Sequence, residues 1–203
     1  MTRKAIKVSV FIMAPIMIGL AICAESIVSL ILTDKWLPSV FYLRVFCIIY
    51  MFYPIHTANL NAIRAVGRSD LFLKLEIEKK MIGFIILILT MLISVKAMAI
   101  GLVIASILSQ IINASPNKKL LDYGYVEQLK DILPSIVLAV VMGLIIYPIQ
   151  LLELSKFITL SIQIIIGIIV YNLEAKIFHL DTFEYLVRLI KVLIKRKEFN
   201  KND

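Results

Sequence analysis

The chain has 203 residues, 61% of them hydrophobic, and a formal charge of +8 from 22 basic against 14 acidic side chains. Its mean hydropathy of +0.94 lies beyond the range of soluble globular domains, which run near half apolar. Six stretches long enough to approach bilayer thickness take up most of its length, which leaves no room for a second, soluble domain.

The first apolar stretch covers residues 5–32 and follows Arg3 and Lys4. It is too long for the apolar segment of a signal peptide, and Ile22-Cys23-Ala24 is a poor cleavage site, so a retained spanning helix is expected. Pro15 lies inside it and predicts a kink, read as packing rather than as a hinge because proline is ordinary in spans. Thr33-Asp34-Lys35-Trp36 forms a short loop with Trp36 in the interfacial belt. Pro38 then opens a second span over residues 39–63, which holds another internal proline, Pro54.

Gly67 suits a helix C-terminal cap, and Ser69 or Asp70 the following N-cap. The third span, residues 76–95, starts in amphipathic turns where Asp70–Lys74 and Glu76–Lys80 are spaced as (i, i+4) ion pairs; its apolar part is Met81–Val95. A tight hairpin around Lys96 leads to the fourth span, 97–114. There Gly101, Ala105 and Ser109 repeat every four residues, as Ser135, Ala139 and Gly143 do in the fifth span, 132–152. Small residues at that spacing let a neighbouring helix backbone approach closely. The sixth span is 157–173. The fold class expected is all-α: a polytopic bundle of six transmembrane helices over residues 1–175, with a C-terminal basic amphipathic tail over 176–203. In that tail Phe183, Leu186, Val187, Ile190 and Ile194 share one face, Glu184, Arg188, Lys191 and Lys195 the other, which suits an anionic membrane surface. Asn200–Asp203 is expected to fray.

Charge orients the bundle. Eighteen of the 22 basic residues fall on the N-terminal tail, the second and fourth loops and the C-terminal tail. That asymmetry places both termini in the cytoplasm and argues against nucleic acid as the partner of a basic chain. Cys23 and Cys47 lie in apolar spans and read as small buried residues; no His or Cys sits at metal-ligand spacing, and no metal or cofactor is expected. Paired-carboxylate, phosphate-loop, His-Glu-x-x-His and serine-elbow motifs are missing, so the chain is not read as an enzyme.

Polar groups inside spans are costly and each needs an account. Glu25 and Arg44 lie toward the outer end of the first two spans; either Arg44 snorkels and Glu25 pairs partly with a neighbour, or both line a hydrated cavity open to the outside. His56 and Asn59 share a face near Pro54. They fit proton coupling or, as the favoured reading, an interhelical hydrogen bond. Gln110 and Asn113 continue a polar stripe on the fourth span. Arg64, Arg68, Lys74, Lys79 and Lys80 form the densest basic loop, explained by topology alone or by attraction of an anionic headgroup.

Three segments carry a resemblance: Pro15-Ile-Met-Ile-Gly-Leu-Ala21, Leu-Thr-Asp-Lys-Trp-Leu-Pro38, and the run from Asn59 to Lys74, with Ala-x-Gly-Arg-Ser-Asp-Leu-x-Leu-Lys its most specific part. The chain resembles the C-terminal half of Wzx-like polysaccharide flippases, within the multidrug/oligosaccharidyl-lipid/polysaccharide exporter superfamily. The resemblance implies a transporter of the bacterial cytoplasmic membrane that flips a lipid-diphosphate-linked oligosaccharide by alternating access. Such transporters have fourteen helices, and the six spans here correspond to the last six, so an N-terminal half or partner chain is expected in addition. Arg44, Arg64, Arg68 and Lys74 are the first choices for contacts to the anionic substrate. Glu25, His56, Asn59, Gln110 and Asn113 are candidates for ion coupling or a polar cavity. The alternatives are a membrane enzyme of cell-envelope polysaccharide assembly, or an inactive or scaffolding remnant of a flippase.

Overall fold

The computed structural model describes residues 2–152 and 154–199, with side chains described up to Val192. The expected fraying of Asn200–Asp203 and the facing of Ile194 and Lys195 lie outside the described residues and side chains. In chain order the helices are α1 (Thr2–Ile22), α2 (Ala24–Leu32), α3 (Val40–Met51), α4 (Tyr53–Ala65), α5 (Ser69–Met91), α6 (Val95–Leu121), α7 (Tyr125–Ile146), α8 (Lys156–Ile177) and α9 (Asp181–Phe199). Short 3-10 segments, Asp34–Ser39 and Tyr147–Leu152, precede α3 and follow α7. The chain is all-α, and among the described residues five helical units are long and apolar enough to cross a membrane. α5 is not one of the five: Lys74, Glu76, Glu78, Lys79 and Lys80 occupy its first half.

The helices run up and down between two ends. One end carries Arg3 of α1, Asp131 of α7 and the start of α9; the other carries Asp34 and Lys156, which form an ion pair. α1 is the hub and packs on α7, α3, α4, α8 and α9, while α6 joins α5 to α3 and α4. Ile6, Val10, Phe11 and Ala14 of α1 form one buried core with Ile55 of α4, Ile132, Leu138 and Met142 of α7, and Tyr171 of α8. The remaining apolar surface is outward, with Phe84 of α5 and Ile168 of α8 both more than half exposed. That distribution suits a lipid solvent, in which helices associate through close packing rather than through removal of apolar surface from water.

Glycine sets two close approaches between helices. A Cβ on Gly143 would stand 2.7 Å from Ile22 Cδ1, which brings α7 against α1. One on Gly101 would stand 2.9 Å from Thr90 Cγ2, which closes the α5–α6 hairpin. Ser135 and Ala139 are buried on the Gly143 face of α7.

Several local expectations change. The first two spans are each divided, at Cys23 between α1 and α2 and at Phe52 between α3 and α4. Pro15 stays within α1 without ending it, and Pro54 sits in the first turn of α4. Pro38 lies inside the 3-10 segment rather than opening a helix. The α5–α6 turn is at residues 92–94, not around Lys96, because Ser94 is extended and its hydroxyl accepts the Ala97 N–H at 3.1 Å. Gly67 does end α4, at φ +78°. Arg68 N–H bonds the Ile63 carbonyl at 3.2 Å and Gly67 N–H the Arg64 carbonyl at 2.9 Å, a Schellman closure. Neither Ser69 nor Asp70 caps α5, because the Asp70 carboxylate is taken by the Arg68 guanidinium at 3.0 and 2.9 Å. The acid-first pairs expected on α5 are replaced by Lys74–Glu78 and Glu76–Lys79. Lys79 is drawn to the buried face, whereas Lys80 points outward.

Candidate functional site

Three polar clusters are built into the bundle. At the end opposite the termini, the helix break at Cys23 leaves the Ala21 carbonyl accessible to a side-chain donor. Arg44 of α3 donates to it from Nε at 3.0 Å and to Glu25 Oε1 from Nη2 at 2.9 Å. Gln150 Nε2 donates to the other Glu25 oxygen at 2.7 Å. Arg44 and Glu25 are thus mutually neutralised, with side chains still 42% and 44% exposed.

The second cluster lies toward the termini end, where α4, α6 and α7 meet. Asn59 Nδ2 donates to Gln128 Oε1 at 2.8 Å, and Gln128 Nε2 returns a bond to Asn59 Oδ1 at 2.8 Å. Asn117 Nδ2 adds a third bond to the same Asn59 oxygen at 2.8 Å. One turn away, Asn113 Nδ2 lies 2.6 Å from His56 Nδ1, which as neutral imidazole can accept there. The His56 ring stacks on Tyr53 at 5.9 Å. Gln110, Asn113, Asn117, Asn59 and Gln128 are all buried. The carbonyl oxygens of the Gln110, Asn113 and Asn117 side chains have no hydrogen-bond partner among the described residues. This arrangement is an interhelical hydrogen-bond lock, the favoured account of His56 and Asn59, extended by residues the sequence reading passed over. Asn117 could have been found from its spacing, one turn beyond Asn113 on the stripe. Gln128 gave no signal, since it precedes the apolar part of α7.

The third cluster is the basic corner after α4. Arg64 stacks over the Phe72 ring at 4.0 Å. Arg68 holds Asp70, and Lys74 lies 3.9 Å from Glu78. Hydrogen bonding from Arg68 keeps the Asp70 carboxyl below the usual carboxylate range. Lys79, read in the sequence as part of a surface loop, is buried and bonded to Glu76. The four first-choice substrate residues therefore split. Arg64, Arg68 and Lys74 share the termini end, while Arg44 stands twenty residues from Arg64 along α3 and α4, about 30 Å at helical rise.

Residues 1–41 match the family model of polysaccharide biosynthesis proteins. No curated protein and no solved structure matches the chain. The matched segment comprises α1, α2, the 3-10 segment and the first residues of α3. It thus contains the hub helix and Glu25, but not Arg44, the amide lock or the basic corner.

Proposed function

We propose that the chain is the C-terminal portion of a Wzx-like transporter that flips lipid-diphosphate-linked oligosaccharide across the bacterial cytoplasmic membrane by alternating access. The observation that carries this reading is the similarity of residues 1–41 to polysaccharide biosynthesis proteins, joined to a bundle in which five helical units among the described residues are long and apolar enough to cross a membrane. In this reading residues 1–175 form a six-span unit and 176–203 a tail, with both termini cytoplasmic. Arg64, Arg68 and Lys74 attract the anionic diphosphate at the cytoplasmic end, and Arg44 meets it only at the far end of its path. A planar guanidinium pairs with phosphate oxygens in bidentate fashion, which suits Arg64 and Arg68 to this role. Glu25, His56, Asn59, Gln110 and Asn113 supply the polar interior and any ion coupling. The other wall of the transport cavity comes from an N-terminal half or a partner chain.

The test is a flipping assay in proteoliposomes. The chain is joined to the eight-helix portion that precedes such a unit in a full-length transporter of this kind, and labelled lipid-linked oligosaccharide is followed to the opposite leaflet. Transport by the joined protein, reduced by alanine at Arg64, Arg68 and Lys74 together, is expected. No transport by a joined protein that is folded and inserted sinks the reading; full transport by the triple variant removes only the site assignment.

A further inference from the structure

The face of α1 that begins at Lys4 is not spent on the transport reading. Its first turns and α9 form an open cavity of about 390 Å³ lined by Arg3, Lys4, Lys7, Tyr185 and Arg188 together with Asp181 and Glu184. Arg3 and Lys7 are both engaged by Asp131 of α7, and Arg188 by Glu184 at 3.3 Å. Lys4 has no carboxylate partner among the described residues and lies 5.7 Å from the Tyr185 ring. The lining carries four cations and two carboxylates, and Asp131 beside Arg3 and Lys7 brings the local surplus to one positive charge.

A second, apolar groove of about 490 Å³ continues along the same helix, between α1 and α8, lined by Ile12, Ile16 and Gly19 on one side and Ile164, Gly167 and Ile168 on the other. Val8 lines the polar cavity and Ile12 the groove; residues four apart share a helix face, so the two lie in line along α1. The Phe11 ring marks the junction, packed 5.0 Å from Tyr171 and 6.3 Å from Phe183. On α1 and α2 the lining reaches from Phe11 to Ile27, about 24 Å at helical rise, which lies within the roughly 30 Å hydrocarbon core. A Cβ on Gly19 would meet nothing within 4 Å; the groove is open at its middle.

We infer that this face binds one anionic glycerophospholipid, its phosphodiester at Lys4 and Arg188 and an acyl chain in the groove between α1 and α8. A single negative charge matches the single surplus positive charge, which a zwitterionic headgroup would not neutralise. The lipid seals α9 and α8 against α1 as a resident component, independent of any transported substrate.

Native mass spectrometry of the purified chain tests this, with phosphatidylglycerol, phosphatidylcholine or undecaprenyl phosphate added to the detergent. One phosphatidylglycerol per chain is expected to survive, with phosphatidylcholine lost. Lys4→Ala and Arg188→Ala are each expected to weaken retention about fivefold. Gly19→Leu, which fills the groove where there is space for it, is expected to abolish retention while the helical circular-dichroism signal and the melting temperature in lipid-free detergent stay unchanged. Equal retention of phosphatidylglycerol and phosphatidylcholine overturns the proposal. So does undiminished retention by these variants, or preferential retention of undecaprenyl phosphate.

Discussion

The hydroxyl of Tyr171 donates a hydrogen bond of 2.8 Å to the main-chain carbonyl of Phe11. Phe11 is the residue four positions before Pro15, whose missing N–H leaves that carbonyl without its helical donor. α8 thus supplies from outside what α1 cannot supply within. The pairing explains how a proline is carried in the middle of the hub helix without ending it.

Tyr171→Phe is expected to destabilise the bundle by about 1–3 kcal/mol, the cost of stranding a buried acceptor. In a Pro15→Ala background, where residue 15 regains an N–H for the Phe11 carbonyl, the same change should cost clearly less. Unfolding of the four proteins in mild detergent closes the cycle; equal costs in both backgrounds would show that Tyr171 acts through packing alone.

The contact at Gly143 makes a steric prediction. Gly143→Val should force α7 from α1, because Ile22 and Ile18 already stand where its Cβ would be; overpacking of this kind costs about 1–3 kcal/mol. Gly19→Ala, with open space around its Cβ, serves as the control and should leave the melting temperature unmoved or slightly raised. A Gly143→Val protein as stable as the control contradicts the close approach.

The amide lock should behave as a unit. Asn59→Leu and Gln128→Leu each strand the partner amide, at about 1–3 kcal/mol apiece. The double variant should cost much less than their sum, since both buried polar groups are then gone. Strictly additive losses in thermal unfolding would mean that the two amides do not pair.

The basic corner carries a pH-dependent prediction. Asp70 has its pKa lowered, chiefly by the hydrogen bond from Arg68. It therefore stays ionised and occupies Arg68 throughout the neutral range. The pair's contribution is fully present above the ordinary Asp pKa and is lost only as pH falls through the lowered one. Asp70→Asn should accordingly strengthen binding of an anionic diphosphate lipid to this corner at pH 7, by a few-fold at most for so exposed a pair. The gain should fade in acid, where the wild-type carboxylate is itself protonated. Equilibrium binding to lipid nanodiscs across pH reads this directly, and an Asp70→Asn protein no tighter at pH 7 would mean that Arg68 does not meet the ligand.

The bundle and its polar clusters are legible in the sequence to different degrees. Gly67 was legible as a cap because only glycine sits without strain at a left-handed φ. The small-residue rows around Gly101 and Gly143 were legible because helical spacing alone puts them on one face. Lys79 was not: neighbouring lysines on α5 look alike until α4 and α6 pack beside it and bury one of them. Arg44 and Glu25 were recognised as costly, but nineteen residues separate them in sequence, and only the docking of α3 against the break at Cys23 makes them partners. Gln128 was missed altogether, because its importance lies in a pairing with Asn59 across 69 positions.

By itself the sequence determined that the chain is a polytopic helix bundle and roughly where its apolar helices lie, though not where they break. Those properties follow from local composition: hydrocarbon demands internally bonded helices of a set length, and glycine, serine and charge mark their ends. Tertiary structure decided which polar side chains are matched with which. It joined Tyr171 to the carbonyl that Pro15 frees, Asn59 to Gln128, and Lys4 of α1 to the cavity beneath α9. Such matches depend on distances between helices far apart in the chain, and no spacing along one helix encodes them.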